Sequence, residues 1–240
     1  MKWLTFGGKA LSDFGISVDG SQAYLKPSKA FLTYQIPGRN GDIVLAQNRY
    51  DNIVIPYKCF IRTGFERKYS ELIDYLNSFN DYQKLETSEE PSIYRKALFH
   101  SSVTPQTGSF NKSGEFTLNF DCMPQEFLKS GDDPIKIQTG TLVKIVNPTY
   151  QPSKPMIVVT ARGSGSIMIG GTNVHVDTGE YSSLYIDCET MDCYTISGGV
   201  VINMNSAVDM PLDYLMLQPG VNEIYVTDLS IEITPRWWRA

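Results

Sequence analysis

The sequence is poor in the residues that most enzymes and metal sites rely on. It has two histidines, His100 and His175, and four cysteines, Cys59, Cys122, Cys188 and Cys193, in 240 residues. Two histidines leave few candidate bases for a nucleophilic triad. The G-x-S-x-G elbow is missing as well, because Ser164 sits directly between Gly163 and Gly165. Four cysteines in a chain this long do not resemble a disulfide framework. Cys188-x4-Cys193 lacks the tight spacing of a zinc knuckle, and no second close pair follows. The sequence therefore offers no nucleophilic triad and no metal or cofactor-binding set. Excess positive charge is absent too. The net charge is −5, which excludes a general nucleic-acid-binding face and leaves room only for a local basic patch. No window approaches the roughly 18 apolar residues of a membrane span. The apolar run inside MKWLTFGGKA is too short for a signal-peptide core, so the expected site of synthesis is a cytoplasm. Without that signal, the acceptor pattern Asn111-Lys112-Ser113 carries little meaning.

What is present suits a packed protein. Hydrophobic residues make up 42% and charged residues 20%, and the length allows one large domain or two small ones. The first half mixes strands with one helix. Ala30–Ile36, Ile43–Leu45 and Asn52–Ile61 read as strands, with Pro56 favouring an edge or a bulge. In TGFERKYSELIDYLNSF, Thr63 and Glu66 have capping-box spacing. Phe65, Tyr69, Leu72, Ile73, Leu76 and Phe79 then recur at helical spacing and make one apolar stripe for the core. A strand is expected within Ser92–Ser102. Another is expected over Gly114–Cys122, where Phe116, Leu118 and Phe120 alternate with polar residues and Met123-Pro124 closes the run.

The texture changes after residue 124. Lys129–Pro134 is polar and rich in turn formers, so a linker is expected there. Beyond it come only short strand-like runs: Thr141–Val146, Met156–Thr160, Ser166–Ile169, Asn173–Val176, Ser183–Ile186, Cys193–Ile196, Val200–Met204, Tyr214–Leu217, Glu223–Val226 and Leu229–Ile233. Regular short strands with turn signals indicate an all-β sandwich or jelly roll. Gln218–Asn222 reads as a turn between two late strands. The expected plan is an α+β domain over residues 1–130, β-rich with one packed helix, followed by an all-β domain over 138–240.

Three features invite a functional interpretation. Asp187 and Glu189 flank Cys188 near a strand end, roughly 6.5 Å apart along the strand, a spacing compatible with a glycosidase acid and base or with two solvated rim carboxylates. Trp237-Trp238 point to opposite faces of a strand. One can enter the core while the other is covered by a second domain or a partner, or both can pack within the sandwich. YQIPGRNGDIVL, residues 34 to 45, sets a charged, glycine-bearing loop between two apolar runs. A strand follows this loop, and strands also follow Gly163-Ser164-Gly165 and Gly170-Gly171. None of the three therefore has the helix N-terminus that gathers free N–H groups around a phosphate.

Taken in order, these features resemble a family, the distal tail (Dit-type) proteins of long-tailed siphophages. In the first half the resemblance rests on Pro37-Gly38-Arg39-Asn40-Gly41-Asp42 between strands, on Tyr57-Lys58-Cys59-Phe60 before the helix, on Pro91–Ala97, and on Phe116–Cys122 with Met123-Pro124. In the second half it rests on Asn147-Pro148, Lys154-Pro155, Gly163-Ser164-Gly165, Tyr185–Glu189, Leu217–Gly220 and Ile233–Trp238. The resemblance implies a virion structural protein without enzymatic activity, cofactor or metal, made in a bacterial host cytoplasm and carried at the tail tip. It implies a homohexameric ring of N-terminal domains around a channel that DNA crosses without specific binding. It also implies galectin-like C-terminal sandwiches that project outward and hold other parts. The implied partners are the tail tube protein, a tail-tip or tail-associated protein, and receptor-binding or baseplate proteins, with no membrane insertion. On that basis Arg39, Asn40 and Asp42 are the candidate contacts between neighbouring copies. An alternative function is a carbohydrate-binding module for host recognition. A third is a cell-wall glycosidase using Asp187 or Glu189.

Overall fold

Strands dominate the computed structural model, which describes residues 2–19, 25–108, 112–209 and 215–240. The chain divides into two units, residues 1–126 with Ala240, and residues 127–239.

The first unit contains β1 (Leu4–Phe6), β2 (Lys9–Ala10), β3 (Ser17–Asp19), β4 (Lys29–Tyr34), β5 (Ile43–Tyr50) and β6 (Ile53–Ile61). The helix α1 (Phe65–Asn77) follows, then β7 (Gln83–Thr87), β8 (Ile93–Phe99), β9 (Gln106–Thr107) and β10 (Gly114–Leu128). The main sheet runs β2-β1-β7-β8-β10-β6-β3, with β9 beside β10. Alternation sets its inner face. Phe116, Leu118, Phe120 and Cys122 of β10 and Ile55, Tyr57, Cys59 and Ile61 of β6 are buried, and polar residues stand between them on β10.

The helix adds its stripe to the same core. Phe65, Leu72 and Leu76 are buried, and Tyr69, Ile73 and Phe79 pack against the cluster. Fully burying such a side chain contributes roughly 1.5–3 kcal/mol, so this stripe holds the helix in place more firmly than its local propensities do. Phe116 meets Phe65 and Tyr69 edge-on, and Tyr75 Oη donates to the Phe6 carbonyl at 2.9 Å.

Two expectations fail here. The Thr63–Glu66 capping box does not form. The N-cap is Gly64, in the left-handed conformation at φ 69, and no side chain caps the helix. The glycine reaches that conformation without strain, and this moves the helix start one residue past Thr63. The Gly114 strand does not stop at Met123-Pro124 but continues to Leu128. Pairing with β6 ends at Cys122 opposite Ile53, so Pro124 lies beyond that ladder and its missing N–H breaks no bond there.

The second unit opens with a 3-10 turn at Lys129–Gly131 and then runs through short strands. They are β11 (Ile135–Ile137), β12 (Leu142–Asn147), β13 (Met156–Val159), β14 (Ser164–Ile169), β15 (Thr172–Asp177), β16 (Leu184–Asp187), β17 (Asp192–Ser197), β18 (Val200–Asn203), β19 (Gly220–Thr227), β20 (Ile231–Thr234) and β21 (Trp238–Arg239). One sheet runs β11-β20-β13-β16-β17-β18 and the other β12-β19-β14-β15. Their inner faces, among them Ile157, Leu184 and Ile233 of the first and Ile167, Val174 and Val226 of the second, share one hydrophobic cluster. The proposed strand at Tyr214–Leu217 reduces to a single bridge between Leu217 and Ser153, and Tyr214 lies outside the described residues, as does Asn111.

Buried amides fix the corners. Asn147 donates to the carbonyls of Gln151 (2.9 Å) and Leu217 (3.1 Å) and accepts from Thr149 N–H (2.9 Å). Asn222 Oδ1 accepts the Gln218 N–H at 2.8 Å, which closes the Gln218–Asn222 turn. Gly165 lies against the Thr227 carbonyl. A Cβ there would stand 2.2 Å from that oxygen.

Candidate assembly surface

β4 and β5 pair with each other as a separate two-stranded sheet. Tyr34 faces Ile43, Leu32 faces Leu45 and Phe31 faces Ala46. The register then shifts by a bulge, with Asn48 at φ 52, a conformation that asparagine tolerates better than most residues. At the far end Pro37 and Gly38 turn the chain, and the Arg39 N–H donates to the Ile36 carbonyl at 3.1 Å. Pro at the first central position and Gly at φ 81 at the second satisfy a type II turn. Arg39, Asn40 and Asp42 all lie in this exposed tip, so the structure brings the three candidate contact residues together.

The unusual property of this arm is its surface. Leu32, Tyr34, Ile43 and Leu45 share one face, while Phe31 and Val44 share the other. All six are exposed, Val44 by 59%, Leu45 by 55% and Tyr34 by 54%. A two-stranded ribbon is marginal in water, and this one presents apolar side chains on both faces. Isolated apolar residues on a surface are ordinary, whereas a contiguous exposed set such as this one is uncommon on a monomeric surface.

The other candidates resolve differently. Asp187 and Glu189 both face Arg236, a residue that the sequence did not single out. The guanidinium holds Asp187 in a fork, Nη1 to Oδ1 at 2.7 Å and Nη2 to Oδ2 at 3.1 Å, and lies 3.6 Å from Glu189. Burial alone would raise the Asp187 carboxyl, but the hydrogen bonds and charge of Arg236 outweigh it and hold the group below its ordinary range. The carboxylates thus clamp the C-terminal segment to the end of β16. Trp237 joins the core of the second unit, against Gly131. Trp238 is half-buried, and its Nε1 donates to the Pro152 carbonyl at 2.9 Å. Both tryptophans therefore make contacts within their own unit.

The four cysteines are buried and reduced. Burial pushes each thiol up to about 12, with the Asp187 charge adding to the rise at Cys188. His100 sits 3.4 Å from Asp121 in the first unit, and His175 is exposed on β15 in the second. Among the described residues no group of three or more His, Cys, Asp or Glu side chains is placed to hold a metal, and no helix is long and apolar enough to cross a membrane. Gly170-Gly171 is the two-residue turn of the β14–β15 hairpin, between Ile169 and Thr172, and Gly163 precedes the first strand of that hairpin.

Comparison with known proteins gives this geometry its context. Residues 10–122 match the phage tail protein RIFT-related domain family. No curated protein matches the chain by sequence. In fold, the chain is similar to the Dit protein of phage SPP1, described as a paradigm of the hub of the adsorption apparatus in phages infecting Gram-positive bacteria. The TM-score is 0.71 at 16% identity, covering 97% of each chain. Residues 10–122 thus match a phage tail protein domain in sequence, and nearly the whole chain shares its fold with the Dit protein of phage SPP1.

Proposed function

We propose that this protein is a siphophage tail protein of the Dit type, a distal hub in which six copies close a ring through their first units. The ring joins the tail tube to the host-adsorption apparatus and leaves a channel for DNA. The second unit acts as a galectin-like sandwich that holds receptor-binding or baseplate partners. The observation that supports this reading best is the β4–β5 arm, whose apolar side chains lie bare on both faces. The occupant that best fits the arm is a neighbouring copy. In a cyclic assembly each subunit offers one patch to a different patch on the next, so one arm per chain serves every interface.

Arg39, Asn40 and Asp42 at the tip set the register of this contact, because a guanidinium holds a carboxylate in a defined geometry where an apolar contact does not. The net charge of −5 suits a channel that releases DNA. Negative-stain images of the purified chain test the reading. Six-fold rings with an open centre are expected. Class averages that show only single particles without a ring, across the concentration range, would overturn it.

A further inference from the structure

The arm meets the body of the first unit at a buried ionic cluster that nothing in the sequence reading anticipated. Glu126 of β10 is fully buried and Arg95 of β8 is 5% exposed. Arg95 Nη2 donates to Glu126 Oε1, and the same Nη2 also donates to the Leu25 carbonyl at 3.2 Å. The other Glu126 oxygen, Oε2, accepts from Lys26 Nζ at 2.7 Å. Leu25 and Lys26 lie just before the first strand of the arm, with Pro27 and Ser28 between. Both β8 and β10 belong to the main sheet. The returning leg is held too. The Asp51 N–H donates to the Ser28 carbonyl at 3.2 Å, closing the base of the ribbon, and Asn52 Nδ2 donates to Tyr82 Oη at 2.9 Å.

We infer that the Arg95–Glu126–Lys26 cluster is a positioning device that fixes the angle at which the arm leaves the body. A buried ion pair is a poor way to gain stability, since apolar residues of similar volume serve as well or better. Its value lies in geometry. A carboxylate between two cations, one of which also grips the backbone carbonyl of the incoming leg, admits one placement of that leg. Such a root matters for this ribbon, because β4 and β5 form a two-stranded sheet of their own and are not hydrogen-bonded into the main sheet. The consequence for assembly rests on the ring reading above. A head-to-tail contact closes only when the rotation per subunit is right, and otherwise yields open or mixed chains.

The test measures the arm within single chains. Spin labels go on Thr33→Cys in the arm and Ser70→Cys on α1, both exposed. The four native thiols are buried and protonated at neutral pH, so they resist labelling. Labelled full-length protein is diluted into excess unlabelled chain so that only distances within one chain are read by pulsed dipolar spectroscopy. The parent is expected to give one narrow distribution. Lys26→Met, which removes only the half-exposed cation, is expected to broaden the distribution and shift its mean with an unchanged melting temperature. R95M/E126L, which replaces the buried pair by apolar residues, is expected to broaden it further while remaining folded. A broad parent distribution, or two variants that keep the parent's narrow one, would overturn the inference. The readout does not depend on ring formation. A narrow parent distribution that the variants broaden, in a chain that stays monomeric, would uphold the root and refute the ring.

Discussion

Replacing Leu32 and Leu45 by serine tests the arm where its chemistry is most exposed. The two side chains face each other across the ribbon, Leu32 at 41% exposure and Leu45 at 55%. Fully burying a leucine is worth roughly 1.5–3 kcal/mol, and about half of each side chain is still in water, so a covering neighbour gains about 1 kcal/mol per leucine. The double variant L32S/L45S therefore weakens each interface by about 2 kcal/mol, or roughly thirtyfold in its equilibrium constant. The loss repeats at every contact around a ring. The folded monomer is affected less, because these side chains are outside both hydrophobic cores. Light scattering across a dilution series, with thermal melting as control, reads both effects. Dissociation should shift to higher concentration by at least that factor while the melting temperature of the dissociated chain moves little. An oligomer that dissociates at the parent's concentration would show that the arm is not the covered surface, and the reasoning from its exposed faces would fail.

Other perturbations reach other parts of the account. Arg39→Glu reverses the charge at the arm tip and should weaken assembly without changing the melting temperature. An unchanged oligomer would remove the tip from the interface. Asp187→Asn breaks the fork with Arg236 and should lower the stability of the second unit by about 1–2 kcal/mol at neutral pH, allowing for the partial exposure of both groups. The Asp187 pKa is depressed in the folded chain, so its contribution is full above the ordinary carboxylate value and is lost as pH falls through the folded one. Urea titrations of parent and variant should therefore converge in acid, and a gap that stays constant with pH would contradict the clamp. Gly165→Ala forces a Cβ against the Thr227 carbonyl and Leu229, and should cost roughly 3 kcal/mol by denaturant unfolding, because backbone cannot move aside as a side-chain tip can.

Much of the architecture was legible in the sequence for a simple reason. Where one face is buried and the other wet, the hydrophobic period writes itself into the chain. Leu72 and Leu76 of the helix, and Phe116, Leu118 and Phe120 of β10, announce their elements in that way. Local chemistry was also readable in the turn at Pro37-Gly38 and in the hairpin glycines at 170 and 171. Contacts between distant residues were hidden. Arg236 meets Asp187 across 49 positions, Glu126 meets Arg95 across 31 and Lys26 across 100, and no local pattern marks a carboxylate that will find a partner so far away. The exposure of the arm was hidden too. Ala30–Ile36 reads as a strand, but an apolar strand that stands in water has the same local composition as one that is buried. In the fold, Phe31, Leu32 and Tyr34 stand in water. The Gly64 cap shows the same limit at short range. Thr63 and Glu66 have the right spacing, yet one glycine's conformational freedom moves the helix start past them.

The central claim is that the chain assembles with itself, and the mass of the purified protein in solution tests it most directly. Light scattering on a sizing column should give a species of six times the 26.9 kDa chain mass. A mass of 26.9 kDa at every concentration, with the arm still bearing its apolar side chains, would contradict the account.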